Sequence, residues 1–220
     1  VSGNASDGEW ELGVPVGGGV RGDPPTDADG SGSCWLTDNV EGNSDVDGGQ
    51  TILTSPVLEI PDDGWILSYA RWFSNNFGGA PGADVFTVQW SEVGSSSWEN
   101  LEVVGPTGPG TTGGWFNVTL NLDELGLSGV EAFQFRVIAD DAGDGSVIEA
   151  GLDAISLARL ICEDENQCEG DVDDNGIVNV NDILQVIAVY GTNDPSGDAN
   201  ADGTVNISDI LLIISHWGEC

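Results

Sequence analysis

Apolar and polar positions alternate over the first three quarters of the chain. In Asp84-Val-Phe-Thr-Val-Gln-Trp-Ser91, Trp115-Phe-Asn-Val-Thr-Leu120 and Ala132-Phe-Gln-Phe-Arg-Val-Ile-Ala139 every second side chain falls on one face, as in half-buried strands. Segments 65–73 and 152–160 read as further strands, and turns rich in Gly, Pro, Asn and Asp, such as 77–82 and 104–110, separate them. No long helical period precedes residue 182. Beyond it, Ile183-Leu-Gln-Val-Ile-Ala-Val-Tyr190 and Ile210-Leu-Leu-Ile-Ile-Ser-His-Trp217 are apolar almost all round and read as two short helices. The expected class is mainly β: a jelly-roll sandwich over 1–161, a linker at 162–169 and a small helical module at 170–220.

Both helices follow the same twelve-residue pattern, repeated 27 residues apart. The first places Asp171, Asp173, Asn175, Asn179 and Asp182 at positions 1, 3, 5, 9 and 12; the second places Asp198, Asn200, Asp202, Asn206 and Asp209 there. Oxygen donors at that spacing wrap Ca²⁺, with the carbonyls of Ile177 and Thr204 at position 7 adding a ligand. Gly176 and Gly203 at position 6 allow the sharp bend. Three carboxylates in each loop repel one another unless a cation relieves them. An ordinary EF-hand has a helix before the loop and Glu at position 12. Here residues 162–170 show no apolar period, and position 12 is Asp in both loops.

A duplicated loop with an exiting helix and Asp at 12 resembles the dockerin module, particularly the divergent dockerin-like tails ending in Trp-Gly on secreted bacterial proteins. The resemblance spans 170–218 and implies a Ca²⁺-dependent adhesion module whose partner is a cohesin. Loop positions 10 and 11, often Ser-Thr in dockerins, are Val180-Asn181 and Ile207-Ser208 here. Together with Ile213 and Trp217 they form the expected interface.

The first domain carries, in order, Gly8-Glu-Trp-Glu-Leu12, Ser31-Gly-Ser-Cys-Trp-Leu-Thr-Asp38, Thr51-Ile-Leu-Thr-Ser-Pro-Val-Leu58, Gly114-Trp-Phe-Asn-Val-Thr119 and Glu149-Ala-Gly-Leu-Asp-Ala-Ile-Ser-Leu157. This series looks like the MAM-type jelly roll and its bacterial relatives, which often sit behind secreted peptidases. The family implies an adhesion or accessory domain, sometimes with a cation between the first strand, an acidic turn and the last strand. Glu9, Asp27, Asp29 and Asp153 stand at those places. Asn43-Ser-Asp45-Val-Asp47-Gly is a second acidic loop.

Charge narrows the setting. Thirty-eight acids oppose four arginines, giving a net charge of −34. Nucleic acid and anionic membrane surfaces would repel such a chain, and no stretch is long enough to span a membrane. An extracellular protein in water rich in divalent cations fits better. In that setting the four cysteines pair by default. The ends of a two-fold module should lie close together, which suggests Cys168–Cys220 and leaves Cys34 with Cys162. Cys162–Cys168 is the rival pairing.

Catalysis finds little support: His216 is the only histidine, and no Ser-His-Asp set, HExxH or phosphate loop occurs. Trp65, Trp72, Trp90, Trp98 and Trp115 could line a platform for sugar rings or fill the core. The expectation is a non-catalytic secreted protein that assembles head to tail, its Ca²⁺-loaded tail docking on another copy's sandwich. The alternatives are a polysaccharide-binding accessory module anchored to a cohesin-like partner, or the C-terminal piece of a secreted peptidase.

Overall fold

A computed structural model describes residues 1–143, 145–160 and 168–219. The chain divides into two compact units, Val1–Leu160 and Ile161–Cys220. Most of the expected linker, together with Cys162 and Cys220, lies outside the described residues.

Among the described residues eleven strands build the first unit: β1 (Ser2–Gly3), β2 (Trp10–Gly13), β3 (Cys34–Thr37), β4 (Gly49–Thr54), β5 (Leu58–Glu59), β6 (Trp65–Gly78), β7 (Val85–Glu92), β8 (Glu99–Val104), β9 (Phe116–Asn121), β10 (Ala132–Asp141) and β11 (Ser146–Arg159). They form two antiparallel sheets. One runs β1-β4-β10-β7-β8 with β5 also on β10; the other runs β2-β3-β11-β6-β9. Alternation chooses the inward faces. Phe133, Phe135, Val137 and Ala139 of β10, Phe86, Val88 and Trp90 of β7, and Ile148, Ala150 and Leu152 of β11 join one core. Each large apolar side chain so buried contributes about 1.5–3 kcal/mol.

The longest strands overrun the expected limits. β6 continues past Phe73 because its polar end is satisfied: the buried Asn75 amide donates to the Asp84 and Pro106 carbonyls at 2.8 and 2.9 Å. β11 starts at Ser146, where both faces are covered and the sequence shows no alternation. β8 carries two glutamates among six residues and is not legible as a strand.

Residues 14–33 form a long loop against the outer face of the second sheet. The Trp72 and Trp115 indoles, edge to face at 5.7 Å, donate to the Gly22 and Thr26 carbonyls at 2.6 and 2.8 Å. Gly151 makes room for them, since a Cβ there would come within 2.8 Å of the Trp115 ring. Trp90 is in the core, Trp65 packs against it, and the Arg136 guanidinium lies 4.1 Å over Trp98. The five tryptophans are therefore spread over different structural roles and do not form one flat platform.

In the second unit, α1 spans Val180–Ala188 and α2 spans Ile207–Ser215. Both begin three residues before the apolar runs that announced them, because each helix starts inside its loop. Asn179 and Asn206 are the N-caps, and Asp182 and Asp209, at the third helical position, complete capping boxes. Among this unit's described residues the fully buried apolar ones are Val178, Val186, Val205 and Ile213, two pairs related by the 27-residue repeat. The repeat extends to the backbone. β12 (Ile177–Val178) pairs with β13 (Gly218–Glu219), and Val205 exchanges hydrogen bonds with Gly191 and Thr192. Gly170 abuts Ile213 and Gly197 abuts Val186, so each loop starts against the other repeat's helix.

Candidate metal centres and docking face

The two acidic loops superpose in their hydrogen bonding. Asp171 accepts from the backbone N–H of Asn175 and Gly176 at 3.1 and 2.7 Å; Asp198 accepts from Asp202 and Gly203 at 3.1 and 2.8 Å. Gly176 and Gly203 have φ of 85° and 86°, and Asp174 and Ala201, also equivalent, both have 55°. The chain curls at the same two positions in both loops, which turns successive amides inward and the position-1 carboxylate onto them.

Asp182 and Asp209 are wholly buried. Asp182 accepts from Val172, Asp173 and Asn179; Asp209 accepts from Asn200 and Asn206. Each acid thus ties the start of its loop to the start of its helix. Oxygens of Asp171, Asp173 and Asp182 lie within 4.8 Å of one another. Desolvation, and then Asp182 and Asp171, hold the Asp173 carboxyl above its ordinary range. No lysine or arginine occurs in this unit to offset the charge. An all-oxygen set so arranged suits Ca²⁺. Loop two has Asn200 at position 3 where loop one has Asp173, and its three acids do not form an equally tight group. Asn175 donates to Asp173, and Asn200 to Asp202 at 3.1 Å. The Asn179 and Asn206 side-chain oxygens cap the helices, accepting from Asn181 and Ser208 at 2.8 Å. In such loops position 9 often reaches the ion through water.

The helices present matching apolar rows. Val180, Leu184, Ile187 and Tyr190 follow α1, and Ile207, Leu211, Ile214 and Trp217 follow α2, each residue 27 positions from its counterpart and all 51–58% exposed. Asn181 and Ser208 are exposed beside them. Ile213 is not part of this face. It is 0% exposed, in the core between the repeats, because its place in the turn is that of Val186 and not that of Ile187. Leu184, Ile187, Tyr190, Leu211 and Ile214 are absent from the expected interface, although the repeat itself identifies them. His216 ends α2, with Nε2 3.1 Å from Glu169.

In the sandwich, Asp27, Asp29 and Asp153 come together, their oxygens within 4.8 Å. Asp153 accepts from Ala28 at 2.7 Å, Asp29 from Ser31 at 2.8 Å and Asp27 from Gly32 at 2.9 Å. The Ser31 contacts lower the Asp29 pKa. Glu9 stays outside the group. Strand register separates them: Trp10 pairs with Thr37 at one end of β3, whereas Leu152 pairs with Trp35 and carries Asp153 to the Cys34 end.

The expected Cys34–Cys162 bond is not formed, since Cys34 is a free, buried thiol. Burial, reinforced by Asp153, Asp27 and Asp29, pushes that thiol up to about 12. Cys168 is disulfide-bonded. Cys162 and Cys220, its expected alternatives, lie outside the described residues.

No protein-family model and no curated protein matches the chain. Among solved structures it is similar to the K1 cleaved adhesin domain of Lys-gingipain from Porphyromonas gingivalis W83. Identity is 16%, over 73% of this chain and 90% of that one, with a TM-score of 0.44. A structure from work on carbohydrate-binding modules of the β-sandwich superfamily shares 15% identity over 72% of this chain and 56% of its own length, at 0.41. Family 16 Carbohydrate Binding Module-2 shares 18% over 60% and 80%, at 0.34. These neighbours are β-sandwich adhesin and carbohydrate-binding domains; values this low transfer no function.

Proposed function

We propose that the chain is a non-catalytic extracellular binding protein whose C-terminal unit is a Ca²⁺-loaded docking module of the dockerin kind. The observation carrying this reading is the duplicated apolar row on α1 and α2, each row launched from a loop of oxygen donors. Asp171, Asp173, Asn175, Ile177 O and Asp182 would hold one ion, and Asp198, Asn200, Asp202, Thr204 O and Asp209 the other. Ca²⁺ supplies positive charge that draws the acids together. The residues do the rest: Asp182 and Asp209 hold the first turns of both helices and so set the angle of the rows. Exposed apolar surface of this extent, repeated and rimmed by polar residues, is what a protein partner covers.

An external cohesin-like partner is favoured over another copy. A charge of −34 on each chain opposes packing like on like. Calorimetric titration with CaCl₂ should show that Asp182→Ala with Asp209→Ala removes two sites from the wild-type total. Wild type should bind within a panel of immobilised cohesin domains in Ca²⁺, and Leu184→Asp with Leu211→Asp should not. If wild type instead sediments as large species in millimolar Ca²⁺, head-to-tail self-assembly is the better account. Polysaccharide is the alternative ligand, carried by the sandwich, and a glycan array decides it; the scattered tryptophans do not favour it.

A further inference from the structure

The outer face of β11 carries two acids, one at each end of β3. Asp153 belongs to the trio already described. Glu149 lies beneath the same covering loop and has been given no role. It is 1% exposed, and neither carboxylate oxygen has a hydrogen-bond partner.

After burial itself, the Ser44 side chain acts on it most and lowers its pKa; Asp23, Asp45 and Asp38, in that order, raise it. They arrive from separate segments: the 14–33 loop, the acidic loop at 43–48 and the residue after β3. Each of those three already has partners. Asp45 accepts from the Ile148 N–H at 2.6 Å and meets Arg21 at 3.3 Å. Asp23 accepts from Gly19 and Arg21 at 2.9 and 3.2 Å, and Asp38 from Asp45 at 3.0 Å. Arg21 is committed as well, to Asp45, the Ser44 carbonyl and Asn43. Glu149 has only the Ser44 side chain beside it, and neither of its oxygens completes a hydrogen bond. A void of about 10 Å³, lined by Asp23, Asp38 and Ser44 though not by Glu149 or Asp45, has room for a single ion or water.

We infer that Glu149 anchors a buried divalent-cation site in the sandwich, with Asp23, Asp38 and Asp45 as the surrounding carboxylates and Ca²⁺ as the ion. A proton is the rival occupant, and without a cation burial pushes Glu149 up to about 8. A protonated acid, however, still has an O–H and a C=O to satisfy, and the Ser44 hydroxyl beside it can pair with only one of them. A cation satisfies both oxygens and offsets the neighbouring acids together. The donors are all oxygen, with no imidazole or thiolate among them, which selects a hard ion. No three of these four carboxylates bring their oxygens within 4.8 Å of one another, as the Asp27 trio does. Ca²⁺, tolerant of irregular shells of 6–8 oxygens, suits that better than Mg²⁺.

Equilibrium dialysis with Ca²⁺ on the full chain tests this. Glu149→Gln should bind one ion fewer than wild type, and its sandwich transition should lose most of its response to EDTA. Asp182→Ala with Asp209→Ala should lose two ions and keep that response, so failure of the docking module and failure of this site are separable. An unchanged ion count in Glu149→Gln, with a sandwich as stable as wild type or more so, overturns the inference in favour of the proton. Should Glu149→Gln not fold, anomalous diffraction from wild-type crystals grown in Ca²⁺ decides. A peak about 2.3–2.6 Å from a Glu149 oxygen supports the site; no peak there while other sites are occupied refutes it.

Discussion

Among the described residues, twenty buried apolar ones, from Trp10 to Leu152, form the core of the first unit, while four do so in the second. Four residues at about 1.5–3 kcal/mol each contribute little against the entropy of ordering roughly fifty, at about 1–2 kcal/mol per backbone residue. Units this small stay folded with staples: metal, disulfide or partner. The two units also treat buried acids differently. In the C-terminal unit Asp182 and Asp209 are each held by backbone donors of their own loop, so the acids organise the fold. In the sandwich Asp45 and Asp153 also take backbone donors, but Glu149 is walled in by strand and loop with no backbone donor. The lesson is that a large core can bury an acid that its own backbone leaves unsatisfied, whereas a minimal one must make its acids structural.

Chelation should widen this contrast most. At a hundredfold excess over Kd each site adds about 2.7 kcal/mol, so the two loops together account for about 5 kcal/mol. In EDTA the C-terminal transition seen by calorimetry should fall steeply while the sandwich stays folded. An unchanged C-terminal transition would remove the metal from the account.

Reduction comes next. A Cys168–Cys220 bond closes about fifty residues and is worth roughly 4 kcal/mol, whereas Cys162–Cys168 closes about seven and is worth roughly 2. Non-reducing peptide mapping identifies the partner of Cys168, and reduction should lower the C-terminal transition alone. Ile213→Ala should cost that unit about 2–5 kcal/mol through the cavity it leaves. A loss below about 1 kcal/mol would mean that the core between the repeats is not what holds it. The smallest effect on stability belongs to the exposed row. Leu211→Ser should change melting by no more than about 0.5 kcal/mol, yet weaken binding to a cohesin-like partner measured by surface plasmon resonance. Equal binding by this variant would move the docking face elsewhere.

Most of the strands and both loops were legible from local pattern. The alternation at Ala132–Ala139 reappears as β10, and that at Asp84–Ser91 as β7, shifted by one residue. Misreadings arose where one stretch serves two purposes. The helices were placed after the loops because Asn179 and Asp182 read as ligands, when they are also the N-cap and third residue of α1. Ile213 and Ile214 cannot be told apart in an all-apolar run, and only the helix's contact with its repeat puts one inside and the other out.

The sequence by itself determined what lies within reach of consecutive residues: strand alternation, the spacing of oxygen donors around Gly176 and Gly203, and the 27-residue duplication that pairs every feature of α1 with one of α2. Only the tertiary structure decided what meets across long separations. The pairing of β3 with β2 and β11 separates Glu9 from Asp153, which a list of acids had placed together. The 14–33 loop, pinned by Trp72 and Trp115, brings Asp23 toward Glu149 and Asp27 toward Asp153. The same covering leaves Cys34 buried and unpaired. Those outcomes depend on strand register and on which face a loop covers, and a register one residue different would exchange every inward side chain for an outward one.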